Sequence, residues 1–167
     1  MTPFQVLTWL MTFILLGSQT STPAAPVQAG ATARQVAIWA TYAGTLEQAT
    51  LQANAGTIDE INFAWYTLEA DGRITGSVSA QALRVARGAG LRVVPSIANA
   101  NFDRGVVMDA IADPADRTRH VQALARLVEE NGFDGLDIDY ESLFAEDREP
   151  FTLFIEELAA ALHANGR

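Results

Sequence analysis

Four times along residues 35–165 a short apolar run is followed by a stretch with helical periodicity, and this alternation narrows the fold more than any other feature of the chain. The runs 35–43, 58–68, 91–98 and 133–141 read as strands. The stretches 45–55, 79–88, 113–131 and 148–164 read as helices. Strands that alternate with helices lie parallel in one sheet, with helices over it. Two architectures satisfy that: an open doubly wound sheet, or the first four βα units of a (β/α)8 barrel. No Gly-x-Gly-x-x-Gly follows any of the strands, which removes the usual support for nucleotide binding at a switch point. A barrel ordinarily takes about 250 residues, so on the barrel reading the 167 residues are expected to be a truncated one.

Local signals set the element ends. Gly56 closes the first helix, and Asp71-Gly72 marks a tight turn after the second strand. Gly88 and Gly90 stop the second helix, on which Leu83 and Ala86 share a face. Pro95 lacks the amide a central ladder needs, so the third strand is expected to thin there. A long connection, 99–112, leads to Asp113-Pro114, an N-cap followed by proline at the first helical position. Val121, Leu124, Leu127 and Val128 form that helix's apolar stripe. Phe151, Phe154, Ile155, Leu158 and Leu162 form the stripe of the last one.

The fourth strand carries the chemistry. In Phe133-Asp134-Gly135-Leu136-Asp137-Ile138-Asp139-Tyr140-Glu141, alternate side chains of a strand point to opposite faces. Asp137, Asp139 and Glu141 then share one face, and Leu136, Ile138 and Tyr140 the other. Successive carboxylates would lie roughly 6–7 Å apart along the strand. Three such groups on the inner face of a parallel strand are costly, and one is expected to stay protonated, as a general acid requires. The competing reading is a solvated acidic strand end. Asp134 has the opposite parity and is expected to be structural, accepting hydrogen bonds from neighbouring backbone.

The stretch Asp134-Gly135-Leu136-Asp137-Ile138-Asp139-Tyr140-Glu141 resembles the Asp-Gly-x-Asp-x-Asp-x-Glu signature of family 18 glycoside hydrolases, the chitinase-like enzymes. Ile61-Asn62-Phe63-Ala64-Trp65, followed by Asp71-Gly72-Arg73-Ile74, resembles that family's second strand, and the flavour is similar to peptidoglycan or spore-cortex N-acetylglucosaminidases. The resemblance implies a barrel and hydrolysis of β-1,4-linked N-acetylglucosamine polymers assisted by the substrate's own 2-acetamido group, an exception to the two-carboxylate scheme. It implies Glu141 as proton donor, Asp139 as the group that orients the acetamido, and Asp137 as the buried carboxylate sharing a proton with Asp139. Trp65, Tyr66, Ser96, Asn99 and Tyr140 are candidate substrate-binding positions. No cofactor is implied. Where the family carries Ser-x-Gly-Gly on the third strand, this chain has Ser96-Ile97-Ala98-Asn99. The tyrosine and tryptophan that later strands supply are not assignable, so the 167 residues alone are expected to be inactive. The alternative is a non-catalytic carbohydrate-binding relative, which generally loses the terminal acid.

Other classes fare worse. A net charge of −9 leaves no basic stripe for nucleic acid, and the chain has no cysteine for disulfides, thiolate metal sites or a lipoprotein anchor. An EF-hand at Asp137 would need Gly at Ser142 and Glu at Arg148. His120 and His163 lack metal-ligand spacing and are expected at the surface or at caps. Trp39 is expected in the core. Residues 1–29 contain no Lys, Arg, Asp or Glu. An apolar run from Phe4 to Gly17, followed by small-residue cleavage candidates at Val27-Gln28-Ala29 and Ala31-Thr32-Ala33, makes residues 1–33 a secretory signal peptide with linker, or an uncleaved membrane anchor. Residues 34–167 are then a partial catalytic barrel, with an extracytoplasmic location and a glycan as partner.

Overall fold

The computed structural model of the chain describes residues 34–40, 53–54 and 56–167. The expected leader at residues 1–33 lies outside them. So does the expected helix 45–55, except that Ala53 and Asn54 are helical. Among the described residues, six strands and four further helices follow in order: β1 (Ala37–Ala40), β2 (Glu60–Leu68), β3 (Ile74–Gly76), α1 (Ala80–Gly88), β4 (Arg92–Val93), β5 (Ser96–Asn99), α2 (Arg104–Ile111), α3 (Pro114–Asn131), β6 (Asp137–Asp139) and α4 (Arg148–Ala164).

The sheet is parallel apart from β3, and its order is β1-β2-β5-β6, with β4 also on β2. Each βα unit therefore lies beside the one before it, with no reversal of strand order. A doubly wound sheet reverses at its switch point and a barrel does not. The sheet is the first half of a (β/α)8 barrel.

Two features add to the simple alternation. Residues 74–76 return antiparallel onto Tyr66–Leu68 and take over the edge that β1 leaves at Phe63. Gly76 is required at that return, because a Cβ there would meet the Trp65 carbonyl oxygen at 2.0 Å and its φ is +133°. The long connection after β5 contains a second helix, α2, capped by Asp103, whose Oδ1 accepts from the Gly105 amide at 2.7 Å. Sequence periodicity is weak there because its eight residues make barely two turns.

The third strand breaks as its proline implies. β4 and β5 are separate pieces, with Val94 and Pro95 between them. At α3 the Asp113 carboxylate accepts from the Ala115 and Asp116 amides, and Gly132 closes the helix with φ 61°.

The core lies between the sheet and its helices. Ile61, Phe63, Leu68, Val93, Ile97 and Phe133 meet Val107, Ile111, Leu124, Val128, Phe154 and Leu158 there. On α1 the buried residues are Ala82 and Ala86, so Leu83 is only partly covered. On α4 Phe154 and Leu158 are buried, whereas Ile155 is exposed over the groove beside β6, where Leu136, Ile138 and Leu162 also line the wall. Among the described residues no strand pairs with the far edge of β6. No described helix is long and apolar enough to cross a membrane.

Asp134 behaves as its parity implies. Its Oδ2 accepts from the Val93 amide at 2.8 Å, and its own amide donates to the Val93 carbonyl at 2.9 Å. Asp134→Ala strands that amide inside the sheet, and a loss of about 1–3 kcal/mol in unfolding free energy is expected from urea denaturation.

Candidate active site

Register defines the open face of the sheet. Asp137 pairs with Ser96 and Asp139 with Ala98 on β5, while Ser96 pairs with Ala64 and Trp39 with Asn62 on either edge of β2. In a parallel ladder, paired residues point the same way. Trp39, Asn62, Ala64, Ser96, Asp137 and Asp139 therefore line one face, and Ile38, Phe63, Ile97 and Ile138 the helix-covered one.

Asp137 is half-buried, whereas Asp139 and Glu141 are exposed. The Asp137 Oδ2 accepts from the Ser96 hydroxyl at 2.6 Å and from the Trp39 indole N–H at 2.9 Å. Two donors on one oxygen fix the carboxylate's position. Trp39 is thus not a core residue. It is 66% exposed on the open face, because its β1 neighbours Ile38 and Ala40 supply the buried side. That parity was readable in the sequence; its hydrogen bond to a residue 98 positions away was not. Ser96 is buried and its hydroxyl is engaged by Asp137.

Asp139 is exposed at the end of the ladder. The strand stops there, so Glu141 lies two residues beyond β6 rather than in its last position. Ser142 follows in the left-handed region, with φ 64°. The Glu141 backbone is held by a side chain: the Asn99 Oδ1 accepts from the Glu141 amide at 2.8 Å. Glu141 itself is exposed.

Three candidate substrate-binding residues point elsewhere. A bulge lets Ala64 pair with Ser96 while Tyr66, not Trp65, pairs with Ile97. Trp65 shares the parity of Phe63 and lies on the helix side, and the extra residue shifts the parity so that Tyr66 turns to that side as well. Trp65 stacks on Phe63 with ring centroids 4.2 Å apart, and Tyr66 meets Phe133 edge-on at 6.2 Å. Both are buried, and burial pushes the Tyr66 hydroxyl's pKa up. They are core aromatics rather than part of the carboxylate face.

Tyr140 is the third. Its hydroxyl pairs with the His120 Nε2 at 2.6 Å, and the Tyr140, His120 and Phe154 rings stack with centroids 5.5–6.0 Å apart. His120 is therefore buried under α3 instead of lying at the surface. His163 does sit exposed in the last turn of α4. Burial pushes the His120 imidazole down to about 4 and the Tyr140 hydroxyl well above its ordinary value.

The sign of the resulting pH effect follows from proton counting. Between pH 6.5 and about 4 the unfolded chain binds a proton at His120 that the folded chain refuses. Stability is complete above this window and falls as pH drops through it, by roughly 3 kcal/mol for one such group. Thermal midpoints across that range should show the decline, and His120→Leu should flatten it.

The loop after Glu141 is braced from α2. The Arg104 guanidinium clasps the Asp147 carboxylate through both oxygens, and Asp147 Oδ2 also accepts from the Phe144 amide at 2.9 Å. Arg104 holds the Asp147 carboxyl below its usual range, with the Phe144 amide adding to the effect. The same guanidinium lies over the exposed Phe144 ring, 5.5 Å from its centroid. Nothing in the sequence pattern announced this brace. Among the described residues no group of three or more His, Asp or Glu side chains is arranged to hold a metal ion.

Comparison with known proteins converges on one family. Residues 35–167 match the sequence model described as glycosyl hydrolases family 18. A Bacillus subtilis (strain 168) protein, YdhD, named as a candidate sporulation-specific glycosylase, is 32% identical over 76 residues, which cover 46% of this chain and 18% of that one. Chitinase B of Serratia marcescens is 32% identical over 75 residues, covering 42% of this chain and 14% of its own. The crystal structure of a class V chitinase from Pseudomonas fluorescens Pf-5 superposes with a TM-score of 0.68 at 22% identity, covering 80% of this chain and 43% of that one. The chain thus spans less than half the length of each of these relatives.

Proposed function

This chain belongs to the family 18 glycosyl hydrolases, and from that premise we propose that it forms the acid-bearing wall of a cleft that cleaves β-1,4-linked N-acetylglucosamine polymers of the chitin or peptidoglycan type. Glu141 donates its proton to the glycosidic oxygen as the C–O bond breaks. The carbonyl oxygen of the sugar's own 2-acetamido group attacks the anomeric carbon, oriented by Asp139. Asp137 shares a proton with Asp139 and lets it turn towards the substrate. Water, deprotonated by the Glu141 carboxylate, then opens the cyclic intermediate with retained configuration.

The observation that carries this reading is the common face of Asp137 and Asp139, with Asp137 held by Ser96 and Trp39 and solvent-reached Glu141 just beyond. A solvated acidic strand end has no reason to aim two donors at its innermost carboxylate.

With one wall built from these residues, the 167-residue chain by itself is expected to bind chitooligosaccharide on the open face and not to turn over a chromogenic chitobioside. A chitotetraose titration followed by NMR should move the Trp39 indole and the Asp139 and Glu141 signals and leave Trp65 and Tyr66 in place. Shifts confined to the helix side would overturn the site, and robust turnover by the monomer would overturn the need for a second wall. Peptidoglycan fragments in the same titration separate the two glycan classes. The leader-like composition of residues 1–33 supports action outside the cytoplasm.

A further inference from the structure

We infer that Asn99 is a positioning residue for the acid: its side-chain amide stands in for the missing strand ladder and fixes the backbone of Glu141. This rests on the reading of Glu141 as proton donor given above. The parallel pairing of β5 with β6 ends at Ala98 and Asp139. Past that point, backbone-to-backbone pairing no longer determines where residue 141 lies. Asn99, the last residue of β5 and only 2% exposed, takes over with its side chain. The Oδ1 accepts from the Glu141 amide at 2.8 Å, while the Nδ2 lies 3.4 Å from the Glu141 carbonyl oxygen, a long donation. The Nδ2 also donates to the Asp103 carbonyl at 2.9 Å. Both Nδ2 donors and one of the two acceptor positions of Oδ1 are thus used by protein.

The geometry explains why an amide suits this position. An amide presents one acceptor and two donors in a plane, the complement of a peptide's N–H and C=O plus one further carbonyl. Glycine offers none of these, and a carboxylate offers only acceptors. Asp103 in turn caps α2, whose first residue, Arg104, clasps Asp147 on the far side of the loop. The segment 141–147 is therefore pinned at both ends, by Asn99 at Glu141 and by Arg104 at Asp147. Ser142, with its positive φ, lies between those pins. Such support matters because a displacement of about 1 Å at a reacting group can cost roughly 10²-fold in rate.

The test uses the 167-residue chain and two variants, Asn99→Ala and Asn99→Asp. Amide hydrogen exchange by NMR reads the Glu141 N–H, with the β2 and α3 amides as a control for overall folding. In Asn99→Ala the Glu141 amide loses its acceptor, and its exchange is expected to speed up by about 10-fold or more while the controls hold. Asn99→Asp keeps an acceptor for that amide and loses both donations. It should therefore retain Glu141 protection while the Asp103 and Glu141 carbonyl carbons shift. If Asn99→Ala fails to fold, the Asn99→Asp pattern decides alone. Unchanged Glu141 exchange in a folded Asn99→Ala chain, or unmoved carbonyl shifts in Asn99→Asp, would overturn the inference. The chitotetraose titration reports separately on the acid assignment: a sugar that leaves Glu141 unmoved removes that assignment without touching the Asn99 clamp.

Discussion

Replacing Glu141 with Gln is expected to lower hydrolysis of a fluorogenic chitobioside by about 10²–10⁴-fold, the range in which general acid catalysis contributes. The comparison is made in a chain completed after Arg167 by the second half of a family 18 barrel, so that both walls are present. Gln keeps the size and the hydrogen-bonding oxygen of the acid and removes only the transferable proton. Sugar binding and thermal stability should therefore be unchanged, because the Glu141 side chain is exposed and its backbone is held independently by Asn99. Retained hydrolysis in the completed chain carrying Glu141→Gln would remove Glu141 from the mechanism. Sugar binding with no hydrolysis in the completed parent chain would favour a carbohydrate-binding protein on the same scaffold.

The largest expected effect on stability lies at Phe154. This ring is fully buried, stacks on His120 and Tyr140, and meets Phe151 at a tilt. Phe154→Ala removes a large apolar group from a site bounded by α3, α4 and the end of β6, and a loss of about 3–5 kcal/mol is expected. Denaturant midpoints of parent and variant measure it directly, and a loss under about 1 kcal/mol would mean that the site collapses around the gap. The same change has a second consequence. Phe154 and His120 hold the Tyr140 ring on the helix side, and Tyr140 is the residue that connects Asp139 to Glu141 in the chain. A loosened Tyr140 should release the acid-bearing segment as well, so the NMR signals of residues 140–142 should broaden before the variant unfolds globally.

The alternation of apolar runs and helical stretches, the Asp113-Pro114 cap and the Pro95 break were all legible because they depend on neighbours within a few residues. The spacing of Asp137, Asp139 and Glu141 was legible for the same reason, and so was the structural parity of Asp134. Local order thus determined a parallel βα sheet and the strand that carries its acids, while the unreversed strand order made that sheet a half-barrel.

Which side chains face those acids was decided only when the strands met. A one-residue bulge between Ala64 and Tyr66 turned Tyr66 into the core beside Trp65, since a slip of one residue reverses every side chain beyond it. Trp39 reached Asp137 across 98 positions, and Asn99 reached Glu141 across 42. His120 met Tyr140 only because α3 packs over the end of β6. Hydrogen bonds between residues so far apart leave no periodicity in the sequence, because no repeat length connects the partners. The sequence by itself determined where the carboxylates fall along their strand; the tertiary structure decided what holds each of them in place.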